Sequence, residues 1–174
     1  MKLGYVIGRF NPLHKGHEHI IEKMINDNDE HIIFIGSSNK SRTKENPFSF
    51  EERKEMILKV FPHANVISLP DFNNLSDWKS NLLTNIDNFI KEKISLKIKE
   101  INLYTGIKKG DDVLRNEWLH GTGHNIQGVV LKNNINATDI RNNIYNNNNI
   151  INIKELHKEI FDYILNKKEI LLEI

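Results

Sequence analysis

His14 and His17 stand three residues apart in the run Gly8-Arg9-Phe10-Asn11-Pro12-Leu13-His14-Lys15-Gly16-His17. At the start of a helix that spacing lets both imidazoles reach the same anion. The helix terminus adds unpaired N–H groups and a partial positive charge. Donors of this kind suit the oxygens on which charge builds during transfer at phosphorus. Gly8 and Gly16 let the backbone come close to a ligand. As an isolated pair the histidines equally describe surface residues or part of a metal site, although no third ligand stands at a convincing spacing for zinc.

Two later stretches carry complementary groups. In Asn136-Ala137-Thr138-Asp139-Ile140-Arg141, the Thr138 hydroxyl can cap a helix and meet an anion, and Arg141 supplies a planar, permanently charged fork. In Asn46-Pro47-Phe48-Ser49-Phe50-Glu51-Glu52-Arg53, Ser49 and Glu52 form a capping box. Read alone, that segment merely starts a helix, with Glu52 and Arg53 facing solvent. Trp78 offers an indole face to a cationic ring, and equally describes a partly buried core residue at a helix start.

The elements that must position these groups alternate. Leu3 to Ile7, His31 to Ile35, Val66 to Leu69, Glu100 to Tyr104 and Gly128 to Leu131 read as strands. Gly16 to Ile25, a helix carrying Met56, Ile57 and Val60, Trp78 to Ile94, Thr138 to Tyr145 and Ile153 to Leu165 have helical spacing. In the last of these Leu156, Ile160, Phe161 and Ile164 point inward. The alternation predicts a parallel sheet covered on both faces. The first motif then sits after the first strand, at the carboxyl edge where open α/β folds bind ligands.

GRFNPLHKGH resembles the GRFxPxHxGH signature of the HxGH nucleotidyltransferase superfamily, in the form found in archaeal-type nicotinamide mononucleotide adenylyltransferases and bifunctional adenylyltransferase/Nudix proteins. NPFSFEER is similar to that family's NPF(T/S)xxER element, and NATDIR to its (I/S)S(S/G)TxIR element, with Asn136 and Ala137 where hydroxyl residues or glycine are typical. Asp71, Phe72 and Trp78 resemble its PD(I/F)…W stretch, and Gly106 to Asp112 its GHxKDxS segment. No Nudix box is present.

The resemblance runs in order through most of residues 3 to 145. It implies a Rossmann-like, doubly wound parallel sheet in one nucleotidyltransferase domain spanning residues 1 to 174, with 150 to 174 as a C-terminal helical segment. It further implies that an acceptor phosphate attacks the α-phosphorus of ATP directly, with Mg²⁺ on the departing pyrophosphate. The acceptor it implies is nicotinamide mononucleotide and the product NAD. By resemblance His14, His17 and Arg141 stabilise the triphosphate. Gly8, Arg9, Phe10, Asn11, Gly16, Lys108, Asn136 and Thr138 contact ATP, while Asp71, Phe72, Trp78 and Arg42 contact the acceptor. Another adenylyl or cytidylyl transfer on the same scaffold, such as that of phosphopantetheine adenylyltransferase, and a nucleotide-binding regulator without turnover are the alternatives.

Composition bounds the rest. Twenty-four basic and 23 acidic residues give a net charge of +1, so no overall field steers the chain to nucleic acid or an anionic membrane. Phosphate binding must be local. With no cysteine there is no disulfide, thiolate or cysteine nucleophile. The opening apolar run is broken by glycine and too short for a signal peptide or membrane span. A cytoplasmic setting is the expectation, and the resemblance adds assembly into a homo-oligomer.

Overall fold

The computed structural model describes residues 1–93, 97–107, 117–131, 135–146, 154–167 and 173. The apolar runs become β1 (Lys2–Gly8), β2 (Glu30–Gly36), β3 (Asn65–Leu69), β4 (Glu100–Ile107) and β5 (Asn125–Val130). They form one sheet in the order β3-β2-β1-β4-β5, with every pairing parallel. From β1 the chain adds strands first on one side and then, after β3, on the other. The reversal opens a crevice between β1 and β4 at their carboxyl ends, where Gly8 and Gly106 stand.

Helices α1 (Lys15–Asp27), α2 (Phe50–Val60), α4 (Ala137–Tyr145) and α5 (Lys158–Asn166) pack on one face. Ile20, Ile21, Met24, Met56, Ile57, Ile140, Ile144, Ile160 and Ile164 are buried there against Val6, Ile33 and Ile35. Burying each such side chain stabilises the fold by roughly 1.5–3 kcal/mol. Helix α3 (Leu75–Glu92) and a short 3₁₀ turn (Glu117–Leu119) cover the other face, where Leu82, Ile86 and Leu119 meet Leu3, Tyr5, Ile32 and Phe34. The alternation of inward side chains along β1, Leu3 and Tyr5 one way and Val6 the other, reflects the two-residue period of a strand buried on both faces. Among the described residues no helix is long and apolar enough to cross a membrane.

Three boundaries differ from the periodicity, each for a local polar reason. Helix α3 begins before Trp78 because the Asn74 side chain accepts the Asp77 N–H at 2.8 Å and caps it. Strand β5 begins at Asn125, ahead of Gly128, with the Asn125 amide donating to the Asn102 side chain at 3.0 Å; its polar start hides it from a search for apolar runs. Helix α5 begins at Lys158 behind a His157 cap. Leu156 is therefore buried ahead of the helix, and Tyr163 is buried where only apolar positions were expected. Phe161 packs partly buried against the same cluster.

Candidate active site

The first motif leaves the central strand and turns into α1. Phe10 takes a left-handed backbone conformation (φ 49°), uncommon for a bulky residue and held only where the surroundings over-determine it. Its ring is buried under Gly8, where a Cβ would come within 2.7 Å of it. His14 is the N-cap of α1. The His17 N–H donates to the His14 carbonyl at 2.8 Å and more weakly to its Nδ1 at 3.4 Å. Nδ1 thus acts as an acceptor, which leaves the proton of a neutral ring on Nε2.

The two imidazoles stack, with centroids 3.6 Å apart and planes 21° from parallel. The Phe10 ring meets His17 edge-on at 4.9 Å. Gly16 keeps the stack intact, because a Cβ there would press on the His14 ring at 3.1 Å. Burial lowers the His14 pKa to about 4. Burial, and then the neighbouring His14, hold His17 well below the ordinary histidine value. Both rings are neutral at pH 7, so they act as N–H donors. The buried Nδ1 of His17 meets no partner among the described residues.

Asn11 joins the three sequence motifs. Its buried side chain donates to Asn46 Oδ1 at 3.3 Å and accepts the Phe48 N–H at 3.1 Å, tying the first motif to the second. Its carbonyl accepts from an Arg141 Nη at 2.9 Å, and the other Arg141 Nη donates to Thr138 Oγ1 at 3.1 Å. The third motif is thereby fastened to the first. Thr138 does not itself cap α4. The Asn136 side chain does, accepting the Thr138 N–H at 2.9 Å, so the residue that departs from the usual hydroxyl supplies the cap.

A cavity of about 250 Å³ opens over this arrangement, between Gly8, Phe10, His14, Gly16 and His17 on one side and Tyr104, Thr105, Gly106, Leu131 and Ile135 on the other. Tyr104 and Thr105, at the end of β4, went unnoticed in the sequence because they lie inside an ordinary strand pattern. Lys108 falls outside the described residues.

On the opposite face of the sheet, Trp78 is half-buried on α3 and meets Trp118 edge-to-face, centroids 5.2 Å apart. Both pack with Ile7 on the second core cluster, and Ile7 also lines the cavity. Trp118 was missed in the sequence; its one signal was being the second of two tryptophans. The Asp71 carboxylate accepts from Ser37 Oγ at 3.0 Å and pairs with Lys40 at 2.7 Å. Lys40 holds its pKa below the ordinary carboxylate value. Phe72 is exposed. Arg42 is engaged in this structure by both oxygens of Glu52, at 2.7 and 2.8 Å, and by the Pro47 carbonyl at 2.8 Å. Glu52 and Arg53 are buried, not solvent-facing.

The sequence matches the Cytidylyltransferase-like family over residues 5–143, and the chain belongs to that family. It is 35% identical over 96 residues to a nicotinamide-nucleotide adenylyltransferase of Thermococcus kodakarensis, covering 51% of each chain. It is 40% identical over 86 residues to the protein of that name from Pyrococcus furiosus, covering 45% of this chain and 46% of the other. The chain thus spans about half the length of the curated relatives it matches. A bifunctional NMN adenylyltransferase/ADP ribose pyrophosphatase from Francisella tularensis, solved with AMP and a Mn ion, superposes with a TM-score of 0.75 at 25% identity, covering 99% of this chain and 52% of that one.

Proposed function

We propose that the protein is a nicotinamide-nucleotide adenylyltransferase, transferring the adenylyl group of ATP to nicotinamide mononucleotide with release of pyrophosphate. One observation carries the reading above all: the stacked His14–His17 pair lines the cavity at the carboxyl ends of β1 and β4, on the same β1–α1 motif whose Asn11 carbonyl accepts from Arg141. Curated relatives named for this activity support the substrate assignment.

In this reading ATP enters the cavity between the first motif and Tyr104–Gly106, with its phosphates toward the N-terminus of α1. A phosphate oxygen of the acceptor forms a new bond to the α-phosphorus as the bond to the bridging oxygen breaks, and pyrophosphate carries the electron pair away. No protein nucleophile is needed, because the attacking phosphate is already ionised. The neutral histidines donate to triphosphate oxygens, and Arg141 adds a fixed cation behind the Asn11 turn. The barrier falls mainly through alignment and charge stabilisation.

Among the described residues no group of three His, Asp or Glu side chains could hold a metal ion. A divalent cation such as Mg²⁺ would be held by the triphosphate oxygens and would supply charge neutralisation to the departing pyrophosphate; the Francisella tularensis relative was solved with AMP and a Mn ion. The acceptor's pyridinium ring is assigned to the Trp78 face, with Trp118 backing the indole. Asp71 and Phe72 lie on the loop between β3 and α3 that leads to Trp78, and Arg42, on the loop after β2, is held at the start of α2 by Glu52. In the assigned role Arg42 exchanges Glu52 for a substrate phosphate, and Lys167, 3.1 Å from Glu52, keeps the carboxylate paired.

The test is direct. Protein incubated with MgATP and a panel of phosphorylated acceptors should form NAD and pyrophosphate with nicotinamide mononucleotide. Transfer to phosphopantetheine instead would move the assignment to another branch of the fold. ATP binding without transfer to any acceptor would make the protein a regulator.

A further inference from the structure

Arg53 is 0% exposed. Its Nε donates to the Ser49 carbonyl at 3.1 Å, one Nη to the Arg9 and Gly36 carbonyls at 3.0 and 2.9 Å, and the other to Ser37 and Lys40 at 3.1 and 3.3 Å. A guanidinium has five N–H donors, and here each meets a backbone carbonyl. None is spent on a carboxylate. Burial lowers its pKa only to about 10, so it stays charged at neutral pH. Paired only with peptide dipoles, such a buried cation is an expensive way to fill a core.

The five carbonyls come from three places: the first motif after β1, the loop after β2, and the cap of α2. Two of them adjoin unusual backbone. The Arg9 carbonyl belongs to the peptide entering Phe10 (φ 49°), and Ser37 itself has φ 47°. Strain of this kind persists only where it is held from several sides. Phe10 supports His17, while Ser37 holds Asp71. One side chain therefore grips both the turn beneath the nucleotide motif and the loop that faces the acceptor residues.

We propose that Arg53 is the positioning residue of the site, fixing the first motif and the 37–40 loop relative to one another so that nucleotide and acceptor meet in line. The inference rests on the proposed adenylyltransfer and adds to it a role for a residue that touches neither substrate. It separates Arg53 from a mere core support: a support would change stability, whereas a clamp on two loops changes the Michaelis constants of both substrates together. Lysine keeps the charge, but its single ammonium cannot span carbonyls placed for a planar fork.

The experiment compares the wild-type chain, Arg53→Lys, Arg53→Gly and Ile57→Val, the last a core change on the same helix chosen to lower stability without touching either loop. Thermal midpoints, kcat and KM for ATP and nicotinamide mononucleotide are measured well below every midpoint, with calorimetric binding of a non-hydrolysable ATP analogue. Arg53→Lys should fold cooperatively, raise both KM values about tenfold and lower kcat. Ile57→Val should leave both KM values within about twofold of wild type. Added guanidinium, below denaturing concentration, should restore part of the activity of Arg53→Gly.

Wild-type constants in Arg53→Lys, constants that track Ile57→Val, a change in one KM alone, or loss of the cooperative fold in Arg53→Lys would each overturn the proposal. A wild-type chain that neither makes NAD nor binds the analogue overturns the adenylyltransferase reading itself, and the inference with it. That failure is visible before any substitution is made.

Discussion

The Arg141 guanidinium donates to the Asn11 carbonyl at 2.9 Å across 130 positions of sequence. The bond makes the last motif a buttress for the first. Arg141→Lys keeps the charge but loses the fork that reaches Asn11 and Thr138 together. It should raise KM for ATP and lower kcat, a combined loss of about 1.5–3 kcal/mol in kcat/KM, as for a charged hydrogen bond removed. Steady-state kinetics with ATP varied measures this, and unchanged constants would take Arg141 out of the site.

The stacked histidines give a second prediction. If the His17 imidazole donates to the triphosphate as charge develops, His17→Ala should lower kcat by about 10²-fold or more with little change in KM. Circular dichroism should show the fold retained, since the ring stacks on His14 and Phe10 and lines the cavity. A variant with near-normal kcat would show that the stack is structural.

Stability should depend on pH in a direction set by the same burial. His14, at about 4 in the fold against an ordinary 6.5, binds fewer protons folded than unfolded in that interval; His17 is shifted the same way. Stability is therefore complete above about pH 6.5 and is lost as pH falls toward 4. Burial pushes Glu52 upward, but Arg42, the Ser49 N–H and Lys167 together bring it from 4.5 to about 2. Its contribution is present above about pH 4.5 and disappears as pH falls through 2. Urea denaturation across this range should show a decline that begins near neutrality, and His14→Gln should flatten its upper part. A midpoint constant from pH 7 to 4 would contradict the neutral, buried pair.

Much of this was legible in the sequence because the signals were local. The Ser49–Glu52 capping box appears in the structure with both reciprocal bonds, and the five apolar runs give five parallel strands. The three motifs meet through the bonds of Asn11. What stayed hidden was long-range and polar. Nothing near Arg53 announces that four of its five donors face the exits of β1 and β2. Asn11 reads as a turn residue, yet its importance lies in partners 35 to 130 positions away. Trp118 could not be linked to Trp78 without knowing that α3 and the 3₁₀ turn share a face.

That face supplies the acceptor prediction. Trp78→Ala should raise KM for nicotinamide mononucleotide by about 1–2 kcal/mol of lost binding and leave KM for ATP nearly unchanged. Trp118→Ala should have a smaller effect of the same kind, since the edge-to-face contact only orients the indole. Equal effects on both substrates, with a lowered thermal midpoint, would return the two tryptophans to the core.

Adenylyl transfer to a pyridine mononucleotide at the His14–His17 cavity is open to direct assay. One measurement tests it most directly: purified wild-type protein with MgATP and nicotinamide mononucleotide, followed by separation of the products. NAD and pyrophosphate should form in equal amounts, with formation abolished or strongly reduced in His17→Ala. Absence of NAD from a folded wild-type protein that binds ATP, or undiminished NAD from His17→Ala, would contradict it.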